Sequence, residues 1–338
     1  MGPWGTPHSS SSLADVPRTE CRPAICTPTD RAKLGYASHV GAESPIILGR
    51  YELHSAIATG GMASIHLGRL RGPAGFARTV AIKRLHPQYA RDEQFVAMFM
   101  DEARLVARIQ HPNVVPILDV VAEGDELFLV MEYVHGESLA GLVFRGGESG
   151  IPAPPAVAAA IFVDVLHGLH AAHEAKTADG TPLEMVHRDV TPHNVLVGVD
   201  GAARIADFGI AMATQRTQKT QEGQLKGKLC YVAPEQLQGR EVGRPTDVYA
   251  AAVSLWEALT GRVLFGANHE GRIVEKILVG ASRPPSTMAP MVTNALDEVV
   301  MRGLDMKPQR RFQTARDMAL ALERSIALPP ASEVSACL

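Results

Sequence analysis

The 338-residue sequence has few cysteines and little net charge. Its four cysteines are Cys21, Cys26, Cys230 and Cys337, and three of them lie near the ends of the chain. Such scattered cysteines do not form a disulfide framework and are typical of a reducing compartment. The formal net charge of -3 excludes the strongly basic field that duplex nucleic acid attracts, so we expect no nucleic-acid partner.

Long hydrophobic runs are also missing. The longest candidate, residues 156–172, contains Asp164 and two histidines, so we expect a buried helix and no membrane span. The N-terminus is rich in proline and serine and lacks the basic and then apolar layout of a secretory signal. We therefore expect a cytoplasmic protein.

The composition is that of ordinary globular material, with 46% hydrophobic and 20% charged residues. Residues 1–48 are rich in Pro, Ser, Thr and Gly and predict a disordered tail. Residues 49–134 contain short β-branched runs and one segment with helical spacing, which predict a small sheet that carries one helix. Residues 135–327 are mostly helical in pattern, and residues 328–338 form a short C-terminal tail. The predicted fold class is α+β, with a small β-rich lobe and a larger, mainly α-helical lobe.

The individual elements follow from the same periodicities. Strands are predicted at 64–67, 79–82, 114–118 and 127–131, and helices at 93–109, 156–173, 247–259, 271–278, 293–303 and 314–326.

An Asp-Gly pair at 200–201 separates two short apolar runs, which is the strongest local hairpin signal. If the pair forms a two-residue turn, Asn194 and Asp207 face each other at the open end of the hairpin. Their oxygens suit a hard cation such as Mg²⁺, and Asp189 lies five residues before Asn194. The alternative is a hairpin with solvated polar residues, because a register can slip by one residue.

The helix predicted at 93–109 carries Glu102 within its apolar stripe. An unpaired buried charge costs about 3–5 kcal/mol, so a cationic partner is expected from a neighbouring strand. Lys83, at the end of the run Val80-Ala81-Ile82, is the natural candidate. The alternative is a hydrated Glu102 at the edge of the stripe.

A turn of small residues at 57–65 contains Gly60 and Gly61. Such a turn can bring backbone N–H groups close to phosphate oxygens. Taken alone, however, a glycine pair more often serves only the conformation of a hairpin turn.

Six blocks follow one another in a fixed order. They are the glycine-containing turn, Val80-Ala81-Ile82-Lys83, Glu102, His187-Arg188-Asp189 with Asn194, Asp207-Phe208-Gly209, and Ala233-Pro234-Glu235. This order resembles the protein-kinase signature set over residues 49–327. Gly60-Gly61-Met62 and Ala233-Pro234-Glu235-Gln236 are similar to bacterial serine/threonine protein kinases of the eukaryotic (Hanks) type.

The resemblance implies a bilobal kinase fold and transfer of the γ-phosphoryl of Mg-ATP to serine or threonine hydroxyls of protein substrates. It implies that Lys83 holds the α/β-phosphates and pairs with Glu102. Asn194 and Asp207 would bind Mg²⁺, and Asp189 would act as the catalytic base. Intact Lys83, Glu102, Asp189, Asn194 and Asp207 disfavour a pseudokinase, and the Ala233-Pro234-Glu235 block disfavours a small-molecule kinase.

The resemblance also implies an ATP site. The phosphate loop would include Ile57, Ala58, Gly60 and Gly61, the hinge Glu132 and Val134, and the adenine sandwich Ile65, Ala81 and Leu196. Plain core packing is the alternative for the apolar members.

Four residues are implied to support the site. Asp247 would hold the catalytic-loop backbone, or would cap its helix together with Thr246. Glu235 and Arg311 would form an ion pair between parts of the helical lobe. Arg188 would receive a phosphate from the activation segment.

The activation segment contains Thr214, Thr217 and Thr220. We predict that these are phosphosites, modified by autophosphorylation in a transient homodimer. The alternative is a polar loop that is never modified.

Two departures from the family pattern concern the phosphate contacts. Ala58 and Ala63 replace two usual glycines, which stiffens the phosphate loop. Thr191 stands where the family usually has lysine, and Lys228 stands where it usually has threonine. We hypothesise a reciprocal exchange in which Lys228 approaches Asp189 and the γ-phosphate. The alternative is a Lys228 that points into solvent.

Overall fold

The computed structural model describes residues 45–143, 152–208 and 227–338, apart from the side chain of Glu102. Six antiparallel strands form the first sheet, in the order β1-β2-β3-β4-β6-β5. They are β1 Ile46–Leu48, β2 Tyr51–Thr59, β3 Ala63–Arg71, β4 Ala77–Leu85, β5 Ile117–Glu123 and β6 Glu126–Glu132.

Strand β1 lies in the segment that the sequence assigns to the disordered tail, so the lobe begins earlier than predicted. Gly49 adopts a φ of 55°, which lets the chain turn back so that Leu48 pairs with Tyr51. Leu48 is buried beneath the sheet. The apolar run Ile46–Leu48 is therefore an edge strand.

The strand predicted at 114–118 is wrong in its first half. Pro116 has no backbone N–H and interrupts the pairing, so β5 begins at Ile117. Residues before the proline pair elsewhere: Val115 N donates to Ile205 O (3.0 Å) and Ile205 N donates to Asn113 O (2.9 Å). This short bridge joins the first lobe to a hairpin of the second.

The main helix of the first lobe is α2, Glu93–Val106, which follows the short α1, Pro87–Ala90. The carboxylate of Asp92 caps α2 by accepting N–H groups of Gln94 (3.0 Å) and Phe95 (3.1 Å). Phe95 and Phe99 lie in one buried cluster with residues of the sheet. The helix ends three residues earlier than the pattern predicts.

The second lobe is built around two buried helices, α4 and α6. Its helices are α3 Leu139–Val143, α4 Pro155–His173, α5 Pro234–Leu237, α6 Arg244–Thr260, α7 Glu270–Val279, α8 Asn294–Gly303, α9 Ala315–Ser325 and α10 Ala331–Ser335. Within the described residues, α4 is the one helix long and apolar enough to cross a membrane, and 61% of its apolar window is buried inside the protein. That burial agrees with the prediction of a core helix.

A second, three-stranded sheet lies in this lobe: β7 Gly136–Ser138, β8 Val195–Gly198 and β9 Ala203–Ile205. The predicted hairpin register is wrong by one residue. Ala206 N donates to Asn194 O (2.8 Å), so Asn194 lies opposite Ala206 and not opposite Asp207.

The hairpin loop explains this shift. Gly201 N donates to Gly198 O (2.8 Å) and Gly198 N donates to Ala202 O (3.0 Å), while Gly201 has a φ of 77°. This is a three-residue loop closed by a left-handed glycine. Asp200 supports it by accepting the N–H of Ala202 (3.1 Å).

Helix α10, within the predicted C-terminal tail, packs against this loop. Val334 is buried in the core of the lobe, and Ser335 Oγ donates to Val199 O (2.8 Å). A Cβ atom added to Gly201 would lie 1.9 Å from the carbonyl oxygen of Ala331. The end of the chain therefore covers the turn of the β8–β9 hairpin.

We expect Gly201→Ala to destabilise the protein more than Gly124→Ala does. Both glycines have positive φ, a conformation that costs other residues about 1–2 kcal/mol, but a Cβ at Gly124 meets nothing within 4 Å. The clash with α10 should add about 1–3 kcal/mol for Gly201. Urea unfolding of the two variants measures the difference, and equal losses would contradict the packing of α10 on the loop.

A buried carboxylate lies in the middle of the second lobe. Glu257 of α6 accepts hydrogen bonds from Tyr231 Oη (2.9 Å) and from Leu264 N (3.2 Å). Burial raises the pKa of Glu257 to about 7, because these two bonds offset only part of the desolvation. The residue therefore binds a proton in the folded protein at a pH where the unfolded chain has released it.

We expect Glu257 to make stability fall as the pH rises from about 4.5 to about 7, since the folded state binds more protons there. The loss should approach roughly 3 kcal/mol above pH 7. Thermal unfolding between pH 5 and pH 8 should show that Glu257→Gln lacks this component. The exposed Glu298→Gln is the matched control, and parallel pH profiles for wild type and Glu257→Gln would refute the assignment.

Candidate active site

The loop between α4 and β8 carries the predicted catalytic residues. Arg188 has a φ of 66°, in the left-handed region, which costs a non-glycine residue about 1–3 kcal/mol. Asp247 of α6 holds this conformation: its carboxylate accepts the N–H groups of His187 (2.7 Å) and Arg188 (2.8 Å). Thr246 Oγ1 accepts the N–H of Gly243 (3.2 Å) and donates to Glu235 (2.9 Å), so Thr246 caps the start of α6 while the Asp247 carboxylate holds the loop.

The same carboxylate contacts a residue that the motifs do not include. His173, at the end of α4, places Nε2 2.8 Å from Asp247 Oδ2, and both side chains are fully buried. Burial by itself raises the pKa of Asp247, but the hydrogen bond and charge of His173 outweigh it and lower the pKa. The sequence feature that could have identified His173 is its position on the buried face of an apolar helix.

The ring of His187 joins the loop to the hairpin. Its Nδ1 accepts Asp189 N (3.2 Å) and its Nε2 donates to Ala206 O (3.1 Å), which assigns the proton to Nε2. Burial lowers the pKa of His187, so the ring is neutral. The backbones of Asp189 and of Ala206, the residue before Asp207, are thus both hydrogen-bonded to the His187 ring.

Asp189 is buried, and its two side-chain hydrogen bonds to described residues both fall on Oδ2. Asn194 Nδ2 donates to that oxygen (2.9 Å) and to the Asp189 carbonyl (2.8 Å), and Lys228 Nζ donates to it at 2.7 Å. The amide nitrogen of Asn194 is therefore committed to Asp189. Its amide oxygen is the atom that it can offer to a metal ion.

Asp207 follows the hairpin with a φ of 56° and accepts a hydrogen bond from Lys83 Nζ (3.0 Å). Burial by itself raises the pKa of Asp207, but the charges of Lys83 and Lys228 outweigh it and lower the pKa. Asp207 is thus an ionised carboxylate. The expected pair of Lys83 with Glu102 lies outside the described side chains and stays a prediction.

The donor set fits Mg²⁺. An ionised carboxylate at Asp207 and an amide oxygen at Asn194 are hard oxygen ligands, and proteins commonly hold Mg²⁺ with one or two such groups plus substrate phosphates. Among the described residues, no cluster of three or more His, Cys, Asp and Glu side chains could hold a metal alone.

The predicted adenine residues come together. Ala81 is buried in a cluster of the first lobe, and Ile65, Val134 and Leu196 pack against that cluster while partly exposed. Leu196 belongs to the second lobe, so this apolar surface is shared by both lobes. Glu132, the other hinge residue, donates its N–H to Pro116 O (3.0 Å).

The predicted phosphate loop joins β2 to β3. Ile57 and Ala58 are exposed at the end of β2. Gly60 N donates to Ala63 O (2.9 Å), and the imidazole of His86 lies 2.9 Å from the Gly60 carbonyl. Neither Gly60 nor Gly61 is among the glycines with positive φ, so the turn does not depend on a left-handed conformation at either.

Glu235 and Arg311 form the expected ion pair in the core of the second lobe. The two contacts are parallel, at 2.7 Å and 2.8 Å, and both side chains are buried. Burial by itself raises the pKa of Glu235, but the bonds and charge of Arg311 lower it below its usual value. The pair fixes the start of α5 beside the loop that precedes α9.

The activation segment is described only in part. Thr214, Thr217 and Thr220 lie in residues 209–226, outside the described residues, so their phosphorylation stays a prediction. The segment that follows contains Lys228, whose contact with Asp189 agrees with the first half of the exchange hypothesis.

Comparisons with known proteins give the same family. The protein kinase domain matches residues 51–320. The chain is 40% identical over 276 residues to the tyrosine-protein kinase MasK of Myxococcus xanthus, covering 81% of this chain and 43% of that protein. It is 36% identical over 283 residues to the serine/threonine-protein kinase PknH of Mycobacterium tuberculosis, covering 84% and 43%. It is 33% identical over 272 residues to the serine/threonine-protein kinase PrkC of Bacillus subtilis, covering 80% and 40%.

The chain thus spans less than half the length of these curated relatives. Among solved structures, the PknI kinase domain of Mycobacterium tuberculosis matches with a TM-score of 0.62 and 26% identity, covering 84% of this chain and 98% of that one. The matched protein kinase domain, residues 51–320, spans both lobes and includes the loop and hairpin described above. The chain belongs to the protein kinase domain family and, within it, to the bacterial Hanks-type kinases.

Proposed function

We propose that the chain transfers the γ-phosphoryl of Mg-ATP to serine and threonine hydroxyls of protein substrates. One observation supports the proposal: Asp189, Asn194 and Asp207 make hydrogen bonds that connect the catalytic loop, the β8–β9 hairpin and β4 of the first lobe. Lys83 reaches Asp207 from β4, and Asn194 binds Asp189. This combination of a base, two oxygen ligands and a lysine suits phosphoryl transfer.

ATP would lie between the lobes. Ile65, Ala81 and Leu196 form the apolar surface for adenine, and the backbone at Glu132 and Val134 supplies hinge hydrogen bonds. Ile57, Ala58, Gly60 and Gly61 cover the phosphates. Lys83 binds the α/β-phosphates, and Glu102 orients it.

Asp189 orients and deprotonates the attacking hydroxyl. Because the described donors both fall on Oδ2, Oδ1 is the oxygen available to the substrate proton. The hydroxyl oxygen bonds to the γ-phosphorus while the bond from that phosphorus to the bridging oxygen breaks, and ADP keeps the electron pair. Asn194 and Asp207 would hold Mg²⁺, which would neutralise charge on the phosphates.

A second candidate is a tyrosine kinase, since a relative 40% identical to the chain carries that name. Serine and threonine are preferred here because two relatives, 36% and 33% identical, are named serine/threonine-protein kinases. Both candidates use the same base and the same ligands. They differ in how far the substrate backbone lies from Asp189, because a tyrosine hydroxyl is farther from its own backbone than a serine or threonine hydroxyl is.

The wider biology is part of the proposal. We propose a cytoplasmic domain that acts on protein substrates, and that phosphorylates Thr214, Thr217 and Thr220 in trans within a transient homodimer. Arg188 has an exposed side chain beside the catalytic base, a place from which it can bind a phosphothreonine.

We expect the purified full chain to incorporate ³²P from Mg-[γ-³²P]ATP into itself and into casein, mostly as phosphoserine and phosphothreonine. Asp189→Asn should lower the rate by at least about 100-fold, because it removes the base. Asp125→Asn, an exposed carboxylate in the turn after β5, is the matched control.

The outcomes separate the candidates. Phosphotyrosine as the main product would favour the tyrosine kinase. Nucleotide binding without any incorporation would favour a pseudokinase, and incorporation that survives Asp189→Asn would contradict the assigned base. Active enzyme that phosphosite mapping finds unmodified at all three threonines would remove the activation-loop proposal.

A further inference from the structure

Lys228 makes an unusual contact for a lysine on an open surface. Its side chain is 46% exposed, yet Nζ lies 2.7 Å from Oδ2 of Asp189, a carboxylate that is 8% exposed. A lysine in such a place normally extends its ammonium into water. Here the ammonium is directed inward, across 39 positions of sequence, to the predicted base.

The catalytic loop carries no lysine or arginine between Asp189 and Asn194. Between Asp189 and Asn194 the sequence is Val-Thr-Pro-His. Thr191 is buried, and its carbonyl accepts Asn194 N (3.0 Å), a backbone bond that closes the turn of the loop. A lysine on this side of Asp189 must therefore come from another part of the chain.

The position of Lys228 is well defined. Residues 227–229 form a helical turn, and Tyr231 N donates to Lys228 O (3.1 Å). Tyr231 is itself bound to Glu257 of α6 (2.9 Å). The turn that carries Lys228 is thus tied to α6, and its ammonium lies against the carboxylate of Asp189.

We propose that Lys228 is the catalytic cation for the transferring phosphoryl group, in the role that the family usually gives to a lysine at position 191. The inference rests on the proposed function. An ammonium carries three donors, so Lys228 can hold Asp189 Oδ2 and bind a γ-phosphoryl oxygen during transfer. Asp189 Oδ1 takes the hydroxyl proton, and ADP leaves with the electron pair of the broken P–O bond.

This arrangement has a consequence for control. A cation on the catalytic loop is in place whenever the loop is folded. A cation on the activation segment is in place only when the turn at 227–229 lies against Asp189. The conformation of the segment then governs the phosphate contact directly.

The test exchanges the two residues in the full chain. Lys228→Thr should lower kcat by about 100-fold, as loss of one preorganised donor at a developing charge does, while KM for ATP changes only a few-fold. Thr191→Lys combined with Lys228→Thr restores the usual family arrangement and should recover kcat to within about 10-fold of wild type. Lys307→Thr, an exposed lysine after α8, is the control and should leave kcat unchanged.

Thr191 is buried, so the double variant needs a check of folding by thermal unfolding. If it does not fold, Lys228→Arg serves instead: it keeps the charge and should retain more activity than Lys228→Thr. An unchanged kcat in Lys228→Thr would overturn the inference. A loss that neither the exchange nor arginine rescues, together with a lower unfolding temperature, would show a structural role and would also overturn it.

The proposed function and this inference fail in different ways. If wild type transfers no phosphate, the proposed function fails. If wild type is active and Asp189→Asn is inactive, but Lys228→Thr turns over at the wild-type rate, only the inference about Lys228 fails.

Discussion

The buried carboxylate of Asp247 is the interaction on which the site depends. It accepts two successive backbone N–H groups, those of His187 and Arg188, and contacts His173. A buried carboxylate left without partners costs about 3–5 kcal/mol, which exceeds the roughly 1–3 kcal/mol of strain stored at Arg188. The loop is therefore held in a conformation that its own sequence does not favour, and α6 supplies the energy.

The rest of the site follows from that anchor. With the loop fixed, the ring of His187 reaches Ala206 O (3.1 Å) and sets the chain just before Asp207. Helix α6 also binds the activation segment, through Glu257 and Tyr231 (2.9 Å). Helix α6 thus supports both the catalytic loop and the activation segment, which lie on the two sides of the place where phosphate would be transferred. These contacts fix a loop conformation that the local sequence does not favour by itself.

Periodicity and motif order predicted most elements, because the helices of the second lobe bury one face or all of their surface. The Glu235–Arg311 pair (2.7 Å) was implied by the resemblance to protein kinases and not by periodicity. The register of the β8–β9 hairpin could not be predicted from its Asp-Gly pair. That pair is compatible with a two- or a three-residue loop, and contacts from Asp200 and from α10, which comes more than a hundred residues later, accompany the longer loop. Long-range packing of this kind leaves no local signal.

The departures from the family pattern were more informative about the site than the matches. Residues that match the family pattern predict roles that all members share. The exchange of lysine and threonine between positions 191 and 228 instead predicts a contact that is particular to this chain, that of Lys228 with Asp189. The contact of Lys228 with Asp189, at 2.7 Å, joins two segments that the sequence separates by 39 positions. In the proposed exchange, Lys228 supplies the positive charge that position 191 lacks, so an ammonium still lies beside the carboxylate of Asp189. The exchange also makes that electrostatic contribution conditional on the activation segment, which is the part of the fold that α6 holds through Tyr231.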